Sequence, residues 1–144
     1  MRKKTRILFV CVENSFRSQI AESIMREKYG DKFEVESAGL EPGVINELAV
    51  KVMKEYGIDI SGNKTNSVFD YYKEGRLYSY VITVCSKAEE ERCPIFPGIR
   101  QRLNWGFENP IDFVGTEEEK YKNAIQLRNR IENRIDQFVS EMSK

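Results

Sequence analysis

The sequence predicts an α/β fold in which helices cover a mostly parallel sheet. Two observations lead to this prediction. Short apolar runs typical of strands alternate along the chain with longer segments of helical periodicity, and a glycine follows each of the first two helical segments. A length of 144 residues suits one domain with one core, and we expect residues 1–144 to form that domain.

The first half of the chain has the order β-α-β-α. Its segments are a strand at residues 5–10, a helix at 18–29, a strand at 33–37 and a helix at 46–56. The first strand is continuously apolar, which is typical of a strand buried on both faces of a sheet. Asn46 is a favourable N-cap for the second helix, and Gly30 and Gly57 stand where the two helices should end.

The second half adds a buried strand at residues 79–84, a short strand at 103–105 and a long C-terminal helix. Thr116 and Glu119 have the spacing of a capping box at the start of this helix. Its apolar stripe consists of Tyr121, Ile125, Ile131, Ile135, Phe138, Val139 and Met142. Parallel sheets bind ligands at the carboxyl ends of their strands, so we expect the chemistry in the turns after Val10 and Val84. Both turns begin with a cysteine.

The composition argues against several classes of function. The chain has 23 basic and 23 acidic residues, and this balance argues against a protein that binds nucleic acid or a membrane surface. It has no histidine, so neither a Ser-His-Asp nor a Cys-His catalytic site is possible. No stretch approaches the ~20 apolar residues of a membrane span. With three cysteines and no recognisable export signal, we expect a cytoplasmic protein with reduced thiols.

The segment from Cys11 to Ser18 predicts an oxyanion-binding loop. It connects a strand to a helix, so its backbone N–H groups can converge on an anion at the positive end of that helix. Cys11 and Arg17 would face one pocket, where a helix N-terminus and a guanidinium favour the thiolate form of a cysteine. The expected oxyanion-binding residues are Val12, Glu13, Asn14, Ser15, Phe16, Arg17 and Ser18. The alternative is an unreactive cysteine at a strand end followed by an exposed arginine, which the strand-loop-helix context disfavours.

Residues 9–22 resemble the phosphate-binding loop of the low-molecular-weight tyrosine phosphatase superfamily, and they are most similar to its thioredoxin-coupled arsenate reductases. The resemblance extends over nearly the whole chain. Further similar segments are residues 36–39, 57–61, 81–85, 93–94 and 104–107. The resemblance implies a four-stranded parallel sheet, in the order 2-1-3-4, flanked by helices.

The same resemblance implies a cascade of three thiols. Cys11 attacks arsenate, Cys85 attacks Cys11 and releases arsenite, and Cys93 attacks Cys85 to form a disulfide that thioredoxin reduces. No bound redox cofactor is then needed. From the residues alone, Cys11 and Cys85 would leave adjacent strands, ~4.8 Å apart, if the first and third strands are neighbours. Cys93 follows a Glu-rich stretch that we expect to be mobile and poorly anchored, as a thiol that carries a disulfide to the surface would require.

A different interpretation of the second and third cysteines stays open at this point. Cys85 would then be a small core residue, and Cys93 an incidental thiol of a loop. A zinc site is not expected, because the spacing contains no C-x2-C pair. The pair Cys85 and Cys93 favours thioredoxin over glutaredoxin as the reductant.

The sequence departs from the family in the loop after the fourth strand. Asn109 stands where the family has an Asp before Pro110, and an amide cannot act as a general acid. Glu108 is either a substitute for that acid or an ordinary exposed carboxylate. Glu13 replaces a glycine in the oxyanion loop, and its carboxylate should point outward. In the cation site of some relatives, Asn66 would replace an acidic ligand beside residues matching Asn14, Glu22 and Ser37, so we expect no bound metal.

The sequence therefore favours a monomeric, thioredoxin-coupled arsenate reductase. The first alternative is a low-molecular-weight tyrosine phosphatase that works through a cysteinyl-phosphate intermediate on Cys11, with Arg17 as the anion ligand. The second alternative is a non-catalytic module that binds oxyanions or senses redox state. In each case the expected ligand of the loop is a small oxyanion such as arsenate, phosphate or sulfate.

Overall fold

In the computed structural model, which describes residues 4–142, four parallel strands form one sheet. The strands are β1 (Thr5–Cys11), β2 (Phe33–Gly39), β3 (Tyr80–Thr83) and β4 (Gln101–Asn104). Their order is β2-β1-β3-β4, and every neighbouring pair is parallel. This confirms the predicted fold class and strand order.

The helices are α1 (Arg17–Tyr29), α2 (Glu47–Tyr56), α3 (Val68–Lys73), α4 (Lys87–Glu90) and α5 (Glu117–Met142), with a 3₁₀ turn at Pro110–Asp112 before α5. The predicted caps form. The Asn46 side chain accepts a hydrogen bond from the Leu48 amide at 2.8 Å, and Thr116 and Glu119 bond reciprocally at the start of α5. None of these helices is long and apolar enough to span a membrane within residues 4–142.

The sheet buries a different hydrophobic core on each face. One core joins alternate residues of β1 and β3 to α1, α2 and α5, and it contains both Cys11 and Cys85. The other core lies under α3 and the segment that follows α4, and it contains Val68, Phe96 and Cys93. Successive side chains of β1 enter one core and then the other, because neighbouring residues of a strand point to opposite faces of the sheet.

Two short helices, α3 and α4, were not predicted from the sequence. Each is shorter than two turns, so neither carries enough apolar residues to show a helical period. Both are started by serine caps: Ser67 accepts from the Asp70 amide, and Ser86 forms a capping box with Glu89. The fourth strand also begins two residues earlier than predicted, because its half-exposed residues lack a continuous apolar run.

Candidate active site

The oxyanion loop begins where β1 ends. Cys11 is the last residue of β1 and pairs with Gly39 of β2, and α1 begins six residues later at Arg17. The loop turns at Asn14, whose φ of 56° lies in the left-handed region that asparagine tolerates better than most residues. The turn directs the Asn14 amide toward the Cys11 sulfur, at 3.1 Å.

Gly39 sets the space behind the loop, a role that sequence reasoning missed. A Cβ atom at this position would lie 2.6 Å from the Val12 carbonyl oxygen and 2.7 Å from the Asn14 amide nitrogen. Only glycine therefore lets β2 approach the loop this closely. The available signal was its place two residues after a predicted strand, but the close approach depends on contacts distant in sequence.

The Asn14 side chain holds the loop from within. Its amide nitrogen donates to Ser18 Oγ at 2.7 Å and to Ser37 Oγ at 2.9 Å, and its oxygen accepts from the Asn66 amide at 2.8 Å. Gln19 also donates to that oxygen, at 3.3 Å. Asn14 and Ser18 are fully buried, so these hydrogen bonds are shielded from water and fix the loop conformation.

The Cys11 sulfur receives two hydrogen bonds. One comes from the Asn14 amide, and the other links it to Ser18 Oγ at 2.8 Å. Because Ser18 already accepts from Asn14, its hydroxyl proton is free to point at the sulfur. These two contacts hold the sulfur in one position between β1 and the N-terminus of α1.

A cavity of about 270 Å³ opens in front of Cys11. It is lined by Cys11, Val12, Glu13, Ser15, Phe16, Arg17, Glu41, Asn109, Pro110 and Ile111. The Arg17 guanidinium is only 4% exposed and donates to the Phe107 carbonyl at 3.2 Å. A nucleophilic sulfur, a buried guanidinium and a loop of backbone amides thus converge on one pocket, which suits a small tetrahedral oxyanion.

Every loop residue that the sequence predicted lies at this pocket or directly behind it. Asn14 and Ser18 form the buried support, and the other loop residues face the cavity. Glu13 is exposed, and its side chain lies beside Gly43 where the residue lines the cavity. A larger groove of about 760 Å³, between residues 43–51 and 61–65, contains none of the predicted site residues.

Cys85 lies on the same face of the sheet as Cys11, close enough to Arg17 and Cys11 to interact electrostatically with both. The ladder between β1 and β3 continues to a bond from the Val84 amide to the Val10 carbonyl, at 2.8 Å, and each cysteine follows this bonded pair. Cys85 is fully buried. Burial raises the pKa of its thiol to about 12, while the nearby Arg17 acts in the opposite direction.

Cys93 lies on the other face of the sheet. Its side chain is 5% exposed in the core with Phe96 and Val68, and its sulfur lies 3.6 Å from the Pro94 carbonyl oxygen. Burial raises the pKa of this thiol to about 11. Cys93 therefore does not share a core with Cys11 and Cys85.

The Glu-rich stretch before Cys93 is better anchored than predicted. It forms α4, and the Glu90 carboxylate accepts a hydrogen bond from the buried Thr83 hydroxyl of β3. Arg102 of β4 donates to the Glu90 carbonyl at 2.7 Å. Arg92 adds an ion pair with Glu41, at 3.1 Å. Contacts with the sheet thus hold the segment, whereas the sequence showed only its charge.

Glu108 and Asn109, the two candidate site residues of the loop after β4, have different surroundings. Glu108 faces Arg130 in a two-pronged ion pair, and the hydrogen bonds from Arg130 lower the pKa of its carboxyl. A carboxyl whose pKa is lowered in this way is poorly suited to protonate a leaving group. Asn109 lines the cavity, and its side chain accepts from the Ile111 amide at 3.1 Å.

The residues that correspond to a cation site bond to one another. Ser37 donates to the Glu22 carboxylate and accepts from Asn14, while Asn66 donates to the Ser37 carbonyl at 3.3 Å. Burial raises the pKa of Glu22, against the lowering effects of Ser37 and Arg26. Within the described residues, no three His, Cys, Asp or Glu side chains are grouped so that they could hold a metal ion.

Comparisons with known proteins agree with this geometry. Residues 6–144 match the family model of the low molecular weight phosphotyrosine protein phosphatases. An arsenate reductase of Bacillus subtilis is 42% identical over 133 residues, which cover 92% of this chain and 94% of that protein. The structure of an arsenate reductase in the phosphate-binding state is similar, with a TM-score of 0.76 and 25% identity over 95% of this chain and 98% of that one.

A thioredoxin-dependent arsenate reductase of Corynebacterium glutamicum has a similar structure as well. Its TM-score is 0.74 at 26% identity, and the match covers 98% of this chain and 64% of that one. The two solved structures thus share the fold over nearly the whole length of this chain, and the family match includes the oxyanion loop.

Proposed function

Because the chain belongs to the low molecular weight phosphotyrosine protein phosphatase family, we propose that it is an arsenate reductase in which Cys11, Cys85 and Cys93 react in turn. One observation carries the proposal: Cys85 is buried in the same core as Cys11, two residues after the strand that pairs with β1, and it is close enough to Arg17 and Cys11 to interact electrostatically with both. A phosphatase needs no second thiol at this place, whereas a reductase does.

In the first step, Cys11 attacks the arsenic of a bound arsenate. The Arg17 guanidinium and the loop amides bind the oxyanion, and hydrogen bonds from Ser18 and Asn14 keep the sulfur nucleophilic. A thiolate and the dihydrogen arsenate ion give a cysteinyl arsenate and water, so that one oxygen leaves with both protons. Arsenic is still pentavalent at this stage.

In the second step, the Cys85 sulfur attacks the Cys11 sulfur. The S–As bond breaks, and its electron pair goes to arsenic, which leaves as arsenite. Two thiols are oxidised to one disulfide while As(V) is reduced to As(III), so the electrons balance. The high pKa of the buried Cys85 requires that its proton leaves as it attacks, and the positive charge of Arg17 favours that loss.

In the third step, Cys93 attacks Cys85 and frees Cys11. The two thiols start in different cores, so α4 has to leave its contacts with Thr83 and Arg102 before their sulfurs can meet. The resulting disulfide would then be open to an external reductant. Thioredoxin is the proposed one, in keeping with the thioredoxin-dependent relative, and no bound redox cofactor takes part.

The setting that fits this cycle is a reducing compartment. All three cysteines are free thiols, and the cycle needs them reduced at its start. We therefore place the enzyme in the cytoplasm, where it would act as a monomer.

The test is steady-state arsenate reduction with thioredoxin, thioredoxin reductase and NADPH, followed by the loss of NADPH. We expect turnover in the wild type and none in Cys11→Ser, Cys85→Ser or Cys93→Ser. Quenched samples of Cys93→Ser should contain one arsenite per enzyme and a disulfide between Cys11 and Cys85. Aryl phosphate cleavage without arsenate turnover would instead make the protein a phosphatase, and inactivity in both assays would make it a binding or redox-sensing module.

A further inference from the structure

The loop after β4 contributes an amide side chain to the cavity that Cys11 lines. Asn109 and Pro110 line the cavity. The Asn109 side-chain oxygen is occupied by the Ile111 amide, at 3.1 Å, because it caps the 3₁₀ turn. Its side-chain nitrogen has no hydrogen-bond partner among residues 4–142. This residue can therefore donate a hydrogen bond to an oxygen in the cavity, but it cannot give up a proton.

The carboxylates near the cavity do not compensate for this amide. Glu108 is held by Arg130, whose hydrogen bonds lower the pKa of its carboxyl. Glu41 is paired with Arg92 at 3.1 Å. Glu13 lies on the loop itself, beside Gly43. Glu13 and Glu41 line the cavity together with Asn109, but both are exposed and neither belongs to the loop after β4. Among the described residues of that loop, the cavity is thus lined by an amide and by no carboxylic acid.

This arrangement separates two classes of substrate. An aryl phosphate must lose a phenolate, whose conjugate acid has a pKa of about 10, and general acid catalysis of such a step contributes roughly 100-fold or more. A free oxyanion such as dihydrogen arsenate carries its own acidic hydroxyls, so a proton can move within the ion and the leaving oxygen departs as water. The missing acid therefore slows ester cleavage far more than attack on a free oxyanion.

We propose that Asn109 is a specificity-determining residue that restricts the Cys11 site to free oxyanions and disfavours phosphate monoesters. This inference rests on the proposed function for its physiological meaning. Its chemistry concerns only the leaving group, however, and can be tested without arsenate.

The test compares the wild type with Asn109→Asp in the cleavage of aryl phosphates whose phenols span a range of pKa. An Asp can accept the same bond from the Ile111 amide, so the 3₁₀ turn is kept. We expect the wild-type kcat/KM to fall steeply as the leaving-group pKa rises. Asn109→Asp should cleave phenyl phosphate about 100-fold faster, with a shallow dependence on leaving-group pKa and a loss of rate when the introduced carboxyl ionises. Arsenate reduction should change much less.

Two further variants keep the test decisive. Asn109→Ala should retain the steep wild-type dependence, because it supplies no acid. Glu108→Gln should also leave that dependence unchanged. The inference is overturned if kcat/KM depends only weakly on leaving-group pKa in the wild type, or still depends steeply on it in Asn109→Asp. It is also overturned if this dependence is steeper in Glu108→Gln than in the wild type. If arsenate turnover is absent while the shift in Asn109→Asp occurs, the proposed function fails and the role of Asn109 stands.

Discussion

Cys85 and Cys93 lie on opposite faces of the same parallel sheet. Seven residues lie between them in sequence, and α4 occupies the middle of that interval. Cys85 shares the core that contains Cys11, and Cys93 is buried with Phe96 under α3. In the reduced protein, Cys85, the proposed first resolving thiol, therefore shares a core with Cys11. Cys93, the proposed second resolving thiol, lies in the other core. This separation would protect Cys93 from reaction until Cys85 has been oxidised.

The contact between Thr83 and Glu90 should control how easily Cys93 becomes available. In Glu90→Ala, α4 loses the acceptor of the buried Thr83 hydroxyl, so the segment should open more often. We expect Cys93 in the reduced variant to react several times faster with iodoacetamide than in the wild type, as measured by mass spectrometry of quenched samples. Glu91→Ala is the matched control, because Glu91 is exposed and one residue further along. Equal rates in the two variants would contradict this role.

The main elements of the fold could be predicted from the sequence because their signals are local. The apolar run of β1 and the cap at Asn46 each lie within a few residues. The oxyanion loop could be predicted for the same reason, since the strand, the cysteine, the arginine and the helix follow one another within a short stretch of sequence. These features need no knowledge of distant contacts.

What could not be predicted depends on residues far apart in the chain. Asn14 is bonded to the amide of Asn66, 52 residues away, and Glu108 to Arg130, 22 residues away. The segment before Cys93 is likewise held by hydrogen bonds from Thr83 of β3 and Arg102 of β4 to Glu90. No pattern of charge or hydrophobicity encodes such pairings, so the Glu-rich segment was expected to be loose.

Gly39→Ala should damage the oxyanion loop. The added methyl group would meet the Val12 carbonyl and the Asn14 amide, both backbone atoms that cannot move without distorting the loop. We expect a loss of about 1–3 kcal/mol in stability. We also expect bound phosphate to protect Cys11 from alkylation less well than in the wild type. Gly62→Ala is the control, because a Cβ there meets nothing within 4 Å. Phosphate protection equal to that of the wild type would show that the loop tolerates the displacement.

Ser18→Ala should slow the reactions of Cys11. The variant removes a buried hydroxyl that lies 2.8 Å from the sulfur, and it leaves the Asn14 side-chain amide without one acceptor. We expect slower alkylation of Cys11 near neutral pH and a slower first arsenite release in single-turnover experiments. Ser23→Ala is the comparison, since that hydroxyl bonds within α1, to the Gln19 carbonyl. The prediction is wrong if the two variants react alike.

The buried thiols should make the reduced protein less stable in alkaline solution. Burial raises the pKa of Cys85 to about 12 and that of Cys93 to about 11, from an ordinary value of 9.0. As the pH rises above 9.0, the unfolded chain loses these protons first, so the native state binds more protons and its stability falls until the native pKa values are passed. The tyrosines Tyr56 and Tyr71, whose pKa values are also raised, act in the same direction.

The measurement is urea unfolding of the reduced protein at a series of pH values from 8 to about 11. We expect the free energy of unfolding to fall with pH in the wild type and to fall less steeply in a Cys85→Ala, Cys93→Ala double variant. Comparing slopes removes the cost of the two cavities, which lowers stability equally at every pH. A double variant with the wild-type slope would mean that these thiols ionise as readily in the folded protein as in the unfolded chain. Cys93 would then need no opening of α4 to become a nucleophile.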